Sequence, residues 1–105
     1  MNHKVASVPI AVDAKGVESF CRKWDVRELS LFGSVLRPDF RPASDVDVLV
    51  TFGPDAAWSL MHLVEMQEEL ETMFGRKVDL VDSRTLRNPF RRREILRTRR
   101  VFYGT

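Results

Sequence analysis

Three aspartates stand where aspartate is an awkward choice. Asp is disfavoured in strands, yet Asp45 and Asp47 open the most strand-prone run of the chain, residues 45–52. The side-chain period of a strand is two. Asp45 and Asp47 therefore share one face of the sheet, while Val46, Val48, Val50 and Phe52 point to the other. Asp79 alternates in the same way with Val78 and Leu80 in a later strand. If the two strands are neighbours with their apolar sides against helices, all three carboxylates converge on the open face. At 4 Å and an effective dielectric near 20, each like-charged pair would cost about 4 kcal/mol. A divalent cation removes that penalty, and hard carboxylate oxygens suit Mg²⁺ or Mn²⁺. Upstream, Gly33-Ser34 ends another strand. Glycine lets the backbone turn tightly and approach a ligand, and serine adds a hydroxyl and an N–H, a donor set for phosphate. Alone, a Gly-Ser pair marks only a turn.

The elements that must position these residues are legible in outline. Asp13 caps a first helix whose stripe is Val17, Phe20, Cys21 and Trp24. Val26 to Phe32 reads as a strand, and Pro38 and Pro42 keep residues 36–44 as a loop or single turn. A long helix is expected from about Ala57 to Phe74, ended by Gly75. Lys77 to Val81 is a further strand. Ser83 is placed to cap a turn, Asn88-Pro89 to start a last helix running through Leu96, and Val101-Phe102-Tyr103 to return as an edge strand. The fold class expected is α+β, a small mixed sheet with helices packed on one face.

A chain of 105 residues, 44% hydrophobic and 30% charged, has the balance of a soluble globular protein with room for one domain, here residues 1–105. No apolar run reaches the roughly 20 residues that span a bilayer. Met1 to Ala11 does not read as a signal peptide, and the lone Cys21 offers no disulfide, so a cytoplasmic protein is expected. Cys21 reads as core, and the two tryptophans, Trp24 and Trp58, as core or interface anchors. Charge is segregated. Residues 1–83 hold nine Lys and Arg against fourteen Asp and Glu, net −5; residues 84–105 hold eight Arg against Glu94, net +7. The basic end suits an anionic partner or a solvated helix equally well.

Taken together, Gly33-Ser34, ten intervening residues, Asp45-x-Asp47 in a valine-rich strand and Asp79 in a later one resemble the DNA-polymerase-β-like nucleotidyltransferase superfamily. The stretches Leu31-Phe32-Gly33-Ser34-Val35-Leu36-Arg37 and Ser44-Asp45-Val46-Asp47-Val48-Leu49-Val50 are similar, more narrowly, to the minimal nucleotidyltransferase (MNT) antitoxins of HEPN/MNT toxin–antitoxin systems. A softer match continues from Leu86-Arg87-Asn88-Pro89-Phe90 to Val101-Phe102-Tyr103-Gly104. Leu36 and Pro38 depart from the pattern, standing where many relatives have Ala and Gly. The resemblance implies that Asp45, Asp47 and Asp79 bind two Mg²⁺ ions, with Mn²⁺ as an alternative. It gives the β- and γ-phosphates of ATP to Gly33 and Ser34. Asp79 would accept the proton of the attacking hydroxyl, directly or as a ligand of the second metal. The partner implied is a HEPN RNase toxin, modified with AMP on a tyrosine within a hetero-oligomer, with pyrophosphate released.

Readings from other classes remain beside this one. The fold can persist in an antitoxin that acts by binding alone. A nucleic-acid module could use Arg91-Arg92-Arg93 with Arg97, Arg99 and Arg100, but Phe90, Phe102 and Tyr103 read as core and leave no exposed aromatics for base stacking. A small molecule is a third kind of acceptor. Direct nucleic-acid and membrane contacts are not expected. His62 reads as an ordinary mid-helix residue, and Glu65, Glu68, Glu69 and Glu71 as a solvated helix face.

Overall fold

The computed structural model describes residues 12–37 and 44–104. Within them the order is α1 (Ala14–Lys23), β1 (Val26–Phe32), a 3-10 turn (Gly33–Leu36), β2 (Val46–Phe52), α2 (Leu60–Phe74), β3 (Val78–Asp82), a second 3-10 turn (Ser83–Thr85), α3 (Pro89–Thr98) and β4 (Arg100–Tyr103). His3, Pro38 and Pro42 lie outside the described residues. The four strands form one mixed sheet in the order β3-β2-β1-β4. β1 runs antiparallel to β2 and to β4, whereas β2 and β3 are parallel, with α2 as the crossover between them.

Local signals explain the elements. Asp13 caps α1, accepting from the Lys15 N–H at 3.1 Å. α2 starts three residues later than the apolar pattern predicts, because Ser59 forms a capping box with His62. The Ser59 Oγ accepts from the His62 N–H at 3.3 Å, while His62 Nδ1 accepts from the Ser59 N–H at 3.1 Å. His62 is thus a capping residue in the first turn, not a mid-helix one. Gly75 ends α2 at φ 68°, the left-handed region that glycine enters without cost from a side chain. Asn88 caps α3, its Oδ1 accepting from the Phe90 and Arg91 N–H groups, and Pro89 takes the first helical position.

α1 and α2 pack on one face of the sheet, as expected for helices gathered on a single side. Val17, Phe20, Cys21 and Trp24 of the α1 segment meet Met66, Leu70 and Phe74 of α2 over Leu29, Leu31, Val48 and Val50. Trp58 closes this layer: its Nε1–H donates to the Trp24 carbonyl at 2.9 Å, and the two indoles meet edge to face at 5.1 Å. Glu69 is not simply solvated, since it accepts from Trp24 Nε1 at 3.1 Å and from Lys23 Nζ at 2.6 Å.

The third helix departs from the single-face arrangement. Ile95 of α3 and Leu86 before it form a second, smaller cluster with Phe32 and Leu49, side chains that point away from the main core. Phe90 takes no part in either cluster. It is 81% exposed, contrary to its reading as core, because it sits in the first turn of α3 on the side away from Ile95. Phe102 is buried as expected. The joint between α3 and β4 is tied down by Arg99, whose Nε donates to Glu28 Oε2 at 2.6 Å and whose Nη1 also donates to the Leu96 carbonyl. The same Glu28 oxygen accepts from the buried Ser30 hydroxyl at 3.1 Å.

Candidate active site

Among the described residues α3 covers only part of the second face of the sheet, and the carboxylates lie toward the end it leaves. Asp47 is in register with Phe32 across the antiparallel pair and with Asp79 across the parallel pair. Residues in register on neighbouring strands point to the same side, so Asp47 and Asp79 project together. The start of this end is fixed by backbone: the Val46 N–H donates to the Lys77 carbonyl at 2.9 Å, and the Val78 N–H donates to Glu71 Oε2 at 3.0 Å. Asp45 stands immediately before β2, exposed at its mouth; Asp79 is exposed as well, and Asp47 is half-buried.

The glycine turn is pressed against this group. Gly33 follows Phe32, the register partner of Asp47, and has φ 74°. A Cβ built on Gly33 would lie 2.4 Å from Asp47 Oδ2, closer than real Cβ atoms come. Two requirements therefore converge on glycine here, a left-handed backbone and an approach that no side chain permits. Ser34 holds the turn to the strand opening: its backbone N–H bonds Asp47, and its hydroxyl donates to the Asp45 carbonyl at 3.4 Å. Gly33, Ser34, Asp45, Asp47 and Asp79 are thus gathered at one corner of the fold.

Electrostatics mark the same corner. The Asp47 carboxyl is held above its ordinary range, first by burial, then by Asp79, and also by Asp45, against the Ser34 N–H and Arg91, which favour its charge. Repulsion among carboxylates is what a cation would relieve, and their oxygens are the donors a hard divalent ion prefers. The residues present fit such an ion chemically. As the side chains stand, no three His, Cys, Asp or Glu among the described residues form a group that could hold one. Arg91 is a feature that sequence reasoning treated only as part of a basic tail. Its signal was the four-residue spacing from Ile95, which puts both on the face of α3 that looks down on β2.

In-register aspartates beside a left-handed glycine turn on a mixed sheet are an arrangement suited to an enzyme of the nucleotide-transferring class. The comparison with known proteins agrees. The chain belongs to the nucleotidyltransferase domain family, which it matches over residues 14–102. It is 34% identical over 73 residues to MJ1379 of Methanocaldococcus jannaschii, assigned as a protein adenylyltransferase, covering 70% of this chain and 73% of that one. It is 39% identical over 66 residues to the protein adenylyltransferase MntA of Thermococcus cleftensis, covering 63% and 65%. Among solved structures, one described as a minimal nucleotidyltransferase shares 32% identity with a TM-score of 0.68, over 83% of this chain and 86% of that one. Two toxin–antitoxin complexes share the fold at 20% identity. One contains AMP-PNP (TM-score 0.70, covering 90% and 75%), and the other is the tri-AMPylated HEPN toxin of Shewanella oneidensis with its MNT antitoxin (0.62, covering 88% and 70%).

Proposed function

We propose that this chain is a protein adenylyltransferase that moves AMP from ATP to a tyrosine of a cognate HEPN-type toxin and thereby acts as its antitoxin. The observation that carries the reading is the register of Asp47 with Asp79 beside the Gly33 turn. Support for the acceptor comes from relatives that are protein adenylyltransferases and from the AMPylated toxin bound to a protein of this fold. The setting proposed is a cytoplasmic hetero-oligomer; no helix among the described residues is long and apolar enough to cross a membrane.

Asp45, Asp47 and Asp79 are the residues that would hold Mg²⁺, as two ions. When bound, Mg²⁺ neutralises the triphosphate and stabilises the attacking and leaving oxygens of an in-line displacement. The protein's own part is positioning. Gly33 would let the backbone come up to the phosphates, and the Ser34 hydroxyl, held only by a long 3.4 Å bond to the Asp45 carbonyl, would exchange that bond for a phosphate oxygen. Asp79, exposed at the edge strand, is open to an acceptor brought by another protein and takes the proton of its hydroxyl. The acceptor oxygen bonds to the α-phosphorus, the bond to the β-bridging oxygen breaks, and pyrophosphate leaves. Co-expression with the adjacent gene, purification by a tag on one product and intact mass with and without ATP and Mg²⁺ test this. One or more AMP increments on the partner, absent with Asp79→Ala, are expected. Co-purification without any increment would end the enzymatic reading and leave an antitoxin that acts by binding.

One observation favours a second reading. Phe90 is exposed beside Arg91, Arg92 and Arg93, which supplies the aromatic that single-strand binding would need. Sub-micromolar RNA or DNA binding near 150 mM salt, with a steep salt dependence, would promote it. Weak binding is expected, because Arg99 is already engaged with Glu28 in a largely covered pair and Arg92 with the Ser83 carbonyl.

A further inference from the structure

One flank of α2 carries an apolar stripe that no described residue covers. Leu60, Met61 and Val64 are exposed. Leu60, Leu63, Val64 and Gln67 follow one another at i, i+3, i+4 and i+7 along the side of the helix that borders β3. With Leu80 and Asp82 of β3 they line a groove of about 180 Å³.

Beside this groove the sheet ends. Among the described residues β3 is an edge strand, paired with β2 on one side. The Lys77 carbonyl accepts from the Val46 N–H of β2 at 2.9 Å. Backbone groups of a strand alternate in direction, so those of Val78, Leu80 and Asp82 point away from β2. Two of these outward groups are engaged: the Val78 N–H donates to Glu71 Oε2 at 3.0 Å, and the Asp82 carbonyl accepts from the Thr85 hydroxyl at 2.8 Å. Between them Leu80 presents both its N–H and its carbonyl at the edge, while its side chain lines the groove. A strand edge flanked by exposed apolar side chains is a surface that takes a further strand, the backbone giving affinity and the side-chain pocket giving selectivity.

We propose that an extended segment of the acceptor protein adds to β3 as an antiparallel fifth strand, forming its closed hydrogen-bonded pair at Leu80. The adenylyltransfer reading is assumed for the residue delivered, but not for the docking. The segment's residue opposite Leu80 shares that residue's face and puts an apolar side chain into the groove. Its next residue stands opposite Asp79, with Cβ atoms about 4.5–5.5 Å apart, and carries the acceptor hydroxyl to the carboxylate side of the sheet. The residue after that lies opposite Val78 and comes up to Glu71, which suits lysine or arginine. The surroundings favour a basic segment as a whole, since residues 60–84 hold six Asp and Glu against three Lys and Arg. A second copy of this chain fits poorly. Pairing β3 with itself about a two-fold axis would bring Glu65 and Glu68 of one α2 towards those of the other.

The first test is fluorescence anisotropy of the full chain with the labelled, end-blocked peptide Thr-Val-Leu-Tyr-Lys-Ser, and with the same peptide methylated at the leucine nitrogen, without nucleotide. The methylated peptide is expected to bind tenfold or more weakly, because it cannot donate to the Leu80 carbonyl. Leu60→Ser/Val64→Ser, at two exposed positions, should weaken the unmethylated peptide by a similar factor. Absence of binding, or equal binding of the two peptides, overturns strand addition, as does a β3-paired dimer of the free chain in sedimentation. The second test uses the product of the adjacent gene, which should slow deuterium exchange at the Leu80 amide tenfold or more. A product that protects Leu80 yet gains no AMP sustains the docking and defeats the adenylyltransferase reading. One that gains AMP at an undiminished rate from Leu60→Ser/Val64→Ser overturns the docking and leaves that reading standing.

Discussion

Replacing Gly33 by alanine adds one methyl group and should do more damage than its size suggests. Two separable costs are visible. The residue sits at φ 74°, where a Cβ costs about 1–2 kcal/mol. The new Cβ would also lie 2.4 Å from Asp47 Oδ2, forcing that side chain to move. Pushing Asp47 off its rotamer costs about 0.5–1.5 kcal/mol, and weakening its bond from the Ser34 N–H about 1 kcal/mol more. The sum is about 2.5–4.5 kcal/mol. Gly75 supplies the control, since it has φ 68° and nothing within 4 Å of a built Cβ. Gly75→Ala should therefore lose only the backbone part, about 1–2 kcal/mol. In an Asp47→Ala background the nearest remaining atom is the residue-47 Cβ at 3.6 Å, an ordinary contact. There the excess of Gly33→Ala over Gly75→Ala should vanish. Urea unfolding in metal-free buffer measures all five variants. Equal costs for the two glycine substitutions, or an excess that survives without the Asp47 carboxylate, would refute the account of the turn.

Asp47→Asn should stabilise the metal-free protein at pH 7. The folded state holds the Asp47 carboxyl above its unfolded value, so the native form prefers the proton; unsubstituted stability should gain on the variant as pH falls through the raised value toward the ordinary aspartate range, and a Tm-versus-pH series checks the sign. Burial pushes the Cys21 thiol up to about 12, so labelling by a thiol reagent at pH 8 should be limited by opening of the core; a fast stoichiometric burst would contradict its burial. Glu28→Ala should cost about 1.5–3 kcal/mol, because Glu28 holds Arg99 in a largely covered pair, while Glu18→Ala, which breaks the exposed pair with Arg22, should cost under about 0.5 kcal/mol in the same urea assay.

The parts of the fold that sequence reasoning reached are those governed by short-range chemistry. Alternation of Asp45 and Asp47 with valines marks β2, Asp13 and Asn88 mark helix starts, and Gly75 marks an end. The start of α2 was misplaced because Ala57 and Trp58 are compatible with a helix, whereas the deciding contact is the reciprocal Ser59–His62 cap. Phe90 was misread because residue type alone cannot say which side of a first helical turn faces outward. The side of the sheet taken by α3 depends on Phe32 and Leu49, two apolar residues on what had looked like a polar face. Of the site, the conjunction of Gly33-Ser34 with the three aspartates was visible in the spacing. Their pairing in register was not, since no local signal states that β2 and β3 are neighbours. Nor did the basic run around Arg97 and Arg100 reveal that it faces the turn; that follows only once β4 returns beside β1.

Transfer of label from ATP is the direct test of the chemistry. The complex with the adjacent gene's product is incubated with Mg²⁺ and either α- or γ-labelled ATP, and protein-bound label and released pyrophosphate are counted. The account predicts label on the partner from the α-position alone, one pyrophosphate per AMP added, and loss of both in Asp45→Asn, Asp47→Asn and Asp79→Ala. Label carried from the γ-position, or α-label transferred undiminished by those three variants, would contradict it.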